Sequence, residues 1–337
     1  MANCKNCNSK LKAYARIDGT NTLVSGSLVL RLTKPKVGNW KEVQPIEYFN
    51  KTSQHYLDIV QATYPDAKLA NTVAIKLEQF LSDRGVYTND TVLNYTSCSD
   101  DVNAPEFANI FNIGQTPPAL NEFLGPFMGG GLAGYPHTGA LALQAWQSHA
   151  TTDTPTDGPL LLINMPHIGV TQQADLVATN DNVGRMLRRG KTSATADNTC
   201  GAVVTAAQWV MTNLAGGSAP VRGAGVFANN DQYFTLATIL YADRATLCSA
   251  PYNFVLDATK YSAGVKLATE NIRAKSFTDL KGTLISTALA GQKNLYFLTA
   301  TFINTDDGWA PCIDFKELWL WDSGAWTDLT TQFNTYL

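Results

Sequence analysis

Three side chains able to hold a metal ion stand at the ends of three apolar segments. Cys98 closes "TVLNYTSC", His167 follows "LLLINMP", and Cys200 opens "CGAVVTAAQWVMTNL". Thiolate and imidazole are ligands that zinc favours, and two cysteines with one histidine make a three-ligand set. Three protein ligands leave the fourth tetrahedral position to water, whose pKa falls to about 7 on zinc. Cys200 would start a helix, where unpaired N–H groups and the helix dipole favour a thiolate. Each residue also has a plainer role. A cysteine after a strand often acts as a small buried apolar group. A histidine at a strand end can be a hydrogen-bonded packing residue. The three are dispersed, so spacing alone leaves both readings open.

Other residues offer weaker signals. Asp100 and Asp101 follow Cys98 and could simply cap a helix starting near Pro105. Arg185, Arg188, Arg189 and Lys191 form a short basic cluster, which suits either a solvated loop or an anion contact. Cys4 and Cys7 make half a zinc ribbon with no second pair, so exposed thiols are the plainer reading. The glycine-rich "FMGGGLAGYPHTG" lacks the GxGxxG spacing of a dinucleotide site, which argues against a nicotinamide enzyme. Pro166, just before His167, should stop the strand's hydrogen-bond ladder and stiffen the approach.

The elements that position these residues read as α/β. "QPIEYFNKTSQHYLDIVQATY" and "KLANTVAIKLEQFLSDRG" have helical apolar spacing, with Gly85 as the C-terminal cap of the second. "DTVLNYTS" and "GPLLLINMP" read as buried strands, and "APEFANIFN", "ALALQAWQSHA" and "CGAVVTAAQWVMTNL" as helices. Helices alternating with continuous apolar strands predict a mostly parallel sheet flanked by helices. "TNTLVSGSLVLRLTKPKVGNW" alternates like a β-hairpin, "QYFTLATILYADR" is strand-like, and the aromatic-rich C-terminus alternates again. The expected organisation is a β-rich N-terminal extension over 1–40, a zinc domain over 41–290 and a β-rich C-terminal segment over 291–337.

Composition excludes several classes. The 337 residues are 45% apolar and 16% charged, with a net charge of −3, so the chain folds and has no electrostatic case for nucleic acid. No apolar run reaches the roughly 18–20 residues of a membrane span. The N-terminus lacks the apolar stretch of a secretory signal, and six cysteines are too sparse for a disulfide scaffold. A cytoplasmic location is the expectation.

The ordered segments "SCSDDVN", "GGGLAGYPHTG", "MPHIGV" and "NTCGAVV" resemble the limiting-CO2-inducible protein B/C family, the theta-class carbonic anhydrases, from about residue 43 to 270. The resemblance implies a fold similar to the β-class carbonic anhydrases and a homodimer or larger homo-oligomer. It implies zinc held by Cys98, His167 and Cys200, and reversible hydration of carbon dioxide to bicarbonate by zinc-bound hydroxide. It also implies that Asp100 orients that hydroxide and pairs with an arginine. Some relatives carry the arginine six residues after the first cysteine, where this chain has Ala104. Arg188 lies near a basic loop of other relatives and is the choice here, with Arg189 behind it. Phe127, Leu132 and Tyr135 could line a carbon dioxide pocket, and His137 and His149 could relay protons. Two rival readings remain. One is a catalytically inactive protein that keeps the zinc fold as part of a virion or shell-like assembly, using its β-rich ends for attachment. The other is a different zinc hydrolase with a roomier pocket.

Overall fold

All five residues of Leu160–Asn164 are buried. That pattern requires a strand paired on both edges and covered on both faces. The computed structural model describes residues 12–17, 19–21, 29–31, 33–86, 91–98, 121–127, 159–170, 209–210, 218–229, 231–247, 249, 261–284, 291–305 and 311–337. Near the start, β1 (Lys12–Arg16), β2 (Val29–Arg31) and β3 (Trp40–Glu42) form a three-stranded antiparallel sheet in the order β2-β1-β3. Among the described residues its buried apolar cluster is Ala13, Ala15 and Val43.

Among the described residues the main sheet has eight strands. They are β4 (Lys68–Leu69), β5 (Val92–Cys98), β6 (Asn121–Phe127), β7 (Leu160–Asn164), β8 (His167–Val170), β9 (Leu295–Thr305), β10 (Cys312–Asp322) and β11 (Ala325–Asp328). Their order is β11-β10-β9-β7-β5-β6, with β4 on β10 and β8 on β9. The pairs β6–β5, β5–β7, β7–β9 and β8–β9 are parallel, whereas β10 runs antiparallel to β9, β11 and β4. The sheet is therefore mixed: the parallel strands expected from the sequence are joined by an antiparallel part through β10. The difference comes from the C-terminus: the short link from β9 to β10 can only return the chain antiparallel. Within 291–337, β9 lies between β7 and β10, and β10 and β11 continue the main sheet.

Helices cover both faces. The described ones are α1 (Pro45–Gln61), α2 (Ala70–Ser82), α3 (Asp231–Ala242), α4 (Arg244–Leu247), α5 (Tyr261–Asp279) and α6 (Thr330–Asn334). Side chains alternate along β9 and sort the two cores. Ile303 joins Val60 of α1, Leu236 and Leu240 of α3, and Ala268 and Ile272 of α5 on one face. Tyr296, Leu298, Ala300 and Phe302 join Val73, Leu77 and Phe80 of α2 and Phe333 of α6 on the other. Gly85 has φ +77 and Val86 N–H donates to the Leu81 carbonyl, so the expected glycine stop of α2 is present.

One expectation fails clearly. "QYFTLATILYADR" is not a strand but mostly α3. Its β-branched and aromatic content suggested a sheet. Its buried residues Leu236, Ala237 and Leu240 instead follow helical spacing, and they pack on α1 and α5. The helices expected at "APEFANIFN" and "ALALQAWQSHA", and the glycine-rich loop from Met128 onward, lie outside the described residues. Of the helix expected from Cys200, only Trp209 and Val210 are described, and both are helical.

Candidate metal centre

Chain order and strand order diverge at β5. The chain goes from β5 to β6 on one side, then to β7 on the other. Such a reversal opens a crevice outside the carboxyl ends of the two strands, where ligands bind in open α/β sheets. Two of the three expected ligands stand on this edge. The β5–β7 ladder ends at Thr96 opposite Asn164. Cys98 is the last residue of β5, two positions past that rung, and His167 opens β8, three positions past it. Both residues therefore follow the carboxyl ends of the paired strands β5 and β7, at the same edge of the sheet. Phe127, expected in the substrate pocket, pairs with Cys98 from the other side as the last residue of β6.

The delivery of His167 differs from the expected full stop at Pro166. Asn164 pairs with Thr299 and His167 with Phe302, so the register against β9 is the same on both sides of the proline. Pro166 lacks an N–H, yet its carbonyl accepts a hydrogen bond from Phe302 N–H at 2.9 Å. The ladder is interrupted on one side only. Beyond Asn164 the chain keeps β9 as its partner while its pairing with β5 ends. The histidine is thus fixed to β9, in the middle of the sheet, beyond the point where the ladder with β5 has ended.

His167 is fully buried. Its Nδ1 lies 2.8 Å from Oδ1 of Asn304, itself 6% exposed on β9. Asn304 is a functional candidate that the sequence reading missed. Its signal was present in "YFLTATFINT", where an asparagine follows a long apolar alternation and lands on a core face.

Cys312 is separated from this centre by its environment. It opens β10 within the apolar cluster of Ile168, Ile303 and Ile272. Burial pushes its thiol up to about 12, so at neutral pH it stays protonated and serves as a small apolar group. The donor chemistry at the sheet edge fits zinc: an imidazole anchored through one nitrogen, beside a strand that ends in cysteine. The other expected site residues, Asp100, Arg188 with Arg189, and Cys200, lie outside the described residues, as do Ala104, Leu132, Tyr135, His137, His149, Cys4, Cys7 and Cys248. Among the described residues, no group of three histidine, cysteine or acidic side chains gathers for a metal. No described helix is long and apolar enough to cross a membrane.

Residues 67–309 match the family model described as limiting CO2-inducible proteins B/C beta carbonic anhydrases. No curated protein sequence matches the chain. Among solved structures, the chain is similar to PtLCIB4, a homolog of the limiting CO2-inducible protein LCIB. The TM-score is 0.56 at 21% identity, over 81% of this chain and 98% of that one. It is also similar to LCIB itself, with a TM-score of 0.51 at 16% identity, over 79% of this chain and 94% of that one. At these identities the likeness establishes the fold: a mixed sheet flanked by helices.

Proposed function

Because the chain belongs to the family of limiting CO2-inducible proteins B/C beta carbonic anhydrases, we propose that it is a zinc-dependent enzyme for the reversible hydration of carbon dioxide to bicarbonate. The observation that supports this reading is that Cys98 ends β5 and His167 opens β8 just past the carboxyl end of β7, where the strand order reverses. Cys98, His167 and Cys200 would hold the metal. A zinc ion there supplies a water that is nucleophilic at neutral pH and leaves one coordination position open.

The chain's own groups do the rest. Asp100, two residues past Cys98, would accept a hydrogen bond from the attacking hydroxide and so orient its lone pair toward the substrate carbon. Arg188 pairs with Asp100 and keeps that carboxylate off the metal, with Arg189 the alternative. Phe127, Leu132 and Tyr135 give carbon dioxide an apolar seat, and Phe127 stands opposite Cys98 in the sheet. His137 and His149 carry the released proton outward, since imidazole titrates near neutrality. The enzyme works as a homodimer or larger homo-oligomer of the theta class.

A second reading has one observation behind it. Ala104 stands where some relatives have the arginine that would pair with Asp100. If Arg188 and Arg189 both fail to reach Asp100, the protein keeps the zinc fold without catalysis and serves an assembly. Substituting Arg188→Ala separates the two readings. An enzyme loses hydration activity while keeping its zinc; an assembly protein shows no activity before or after.

A further inference from the structure

We propose that Asn304 is the positioning residue of the centre: it holds the His167 ring in one orientation and one tautomer, leaving Nε2 as the lone-pair nitrogen for the metal. This rests on the zinc reading above. In the 2.8 Å contact the amide oxygen of Asn304 faces Nδ1 of His167. An amide oxygen only accepts, so Nδ1 must carry the proton. A neutral imidazole holds one ring proton, so the lone pair then sits on Nε2. His167 is fully buried and Asn304 is 6% exposed, so bulk water does not compete for the contact.

The backbone explains why the two side chains meet. His167 pairs with Phe302, and Asn304 is two residues further along β9, on the same face of the sheet. The residue directly opposite Asn304 is Gly169. It lies on the same face of β8 as His167 and brings no side chain, so the ring can reach diagonally along the strands. Asn304 also sits on β9, which is fixed by β7 and β8 on one side and β10 on the other. A ligand oriented from such a strand needs no loop to hold it. An asparagine, unlike a carboxylate, sets the tautomer without adding negative charge, so it does not favour imidazolium over the neutral ligand.

The test uses full-length, zinc-free protein with 15N-labelled histidine. Four histidines give few ring signals, and His167→Gln assigns the one of interest. The wild type is expected to show a protonated Nδ1 and an unprotonated Nε2 at position 167. Asn304→Leu should lose that signature and bind zinc about 10–100-fold more weakly in chelator competition. Asn304→Asp, which keeps an acceptor oxygen, should restore the Nδ1–H signature. A wild-type ring protonated on Nε2 overturns the proposal outright, even if no variant folds. An Asn304→Leu protein with unchanged tautomer, or with unchanged zinc affinity, overturns it too. If the tautomer depends on Asn304 but the wild type takes up no zinc, the positioning of the ring stands and the zinc reading alone falls.

Discussion

At the scale of the residue, three buried groups differ in what their surroundings ask of them. His167 has one ring nitrogen tied to Asn304 and stands at the crevice edge. His167→Ala should therefore lose bound zinc, and a full retained equivalent by elemental analysis would remove it from the ligand set. Cys312 lies in an apolar cluster with its thiol pushed up to about 12. Cys312→Ala should leave zinc content unchanged, and under native conditions its thiol should resist alkylation at pH 7. Asp314 is 3% exposed on β10, and burial raises its carboxyl above the ordinary 3.8 despite the ion pair with Lys316 at 2.6 Å. Folding therefore favours the neutral acid. That contribution is complete below the ordinary value and is lost as pH rises through the folded value. Asp314→Asn should raise the melting temperature at pH 7, and the gain should vanish by about pH 3. A gain that persists unchanged at low pH would contradict this. Cys98 and His167 were legible in the sequence because each ends an apolar strand. Asn304 shows in the sequence only as an asparagine on a core face, and its role depends on a partner 137 positions away.

At the scale of the element, the site depends on strands held by helices that the sequence marked well. α2 carries Phe80, which meets Phe333 at 5.4 Å and Tyr336 at 5.2 Å between ring centroids. Tyr336 Oη also donates to Asp83 Oδ2 at 2.7 Å, and Arg84 donates to Gln332 at 3.0 Å. The C-terminal turn is thereby locked onto the end of α2. Phe80→Ala should cost about 3–5 kcal/mol in chemical denaturation. A loss under about 1 kcal/mol would mean that α6 does not stabilise this face. The strands β5, β7, β9 and β10 and the helices α1 and α2 were readable because period and length agreed in each. α3 was misread because its composition is that of a strand. Only its burial at Leu236, Ala237 and Leu240 reveals the helical stripe. Local composition cannot supply that, since packing on α1 and α5 decides it.

At the scale of the whole molecule, function follows from topology. The α/β class was legible in alternating helices and apolar strands. The mixed sheet was not, because direction is set by how β9, β10 and β11 return upon one another. The place of β5 at the reversal of strand order was also hidden, yet it creates the crevice at which Cys98 and His167 stand. The N-terminal sheet has an apolar cluster of its own, with Ala13, Ala15 and Val43 among the described residues. Deleting residues 1–42 should leave zinc content and hydration activity intact in an enzyme. Large complexes that fall apart on this deletion, with no activity in either form, would favour the assembly reading. The most direct test of the central claim is stopped-flow carbon dioxide hydration by zinc-loaded full-length protein, with Cys98→Ser as the blank. The account predicts a rate well above that blank. A protein with a full equivalent of zinc and a rate equal to the blank would contradict it.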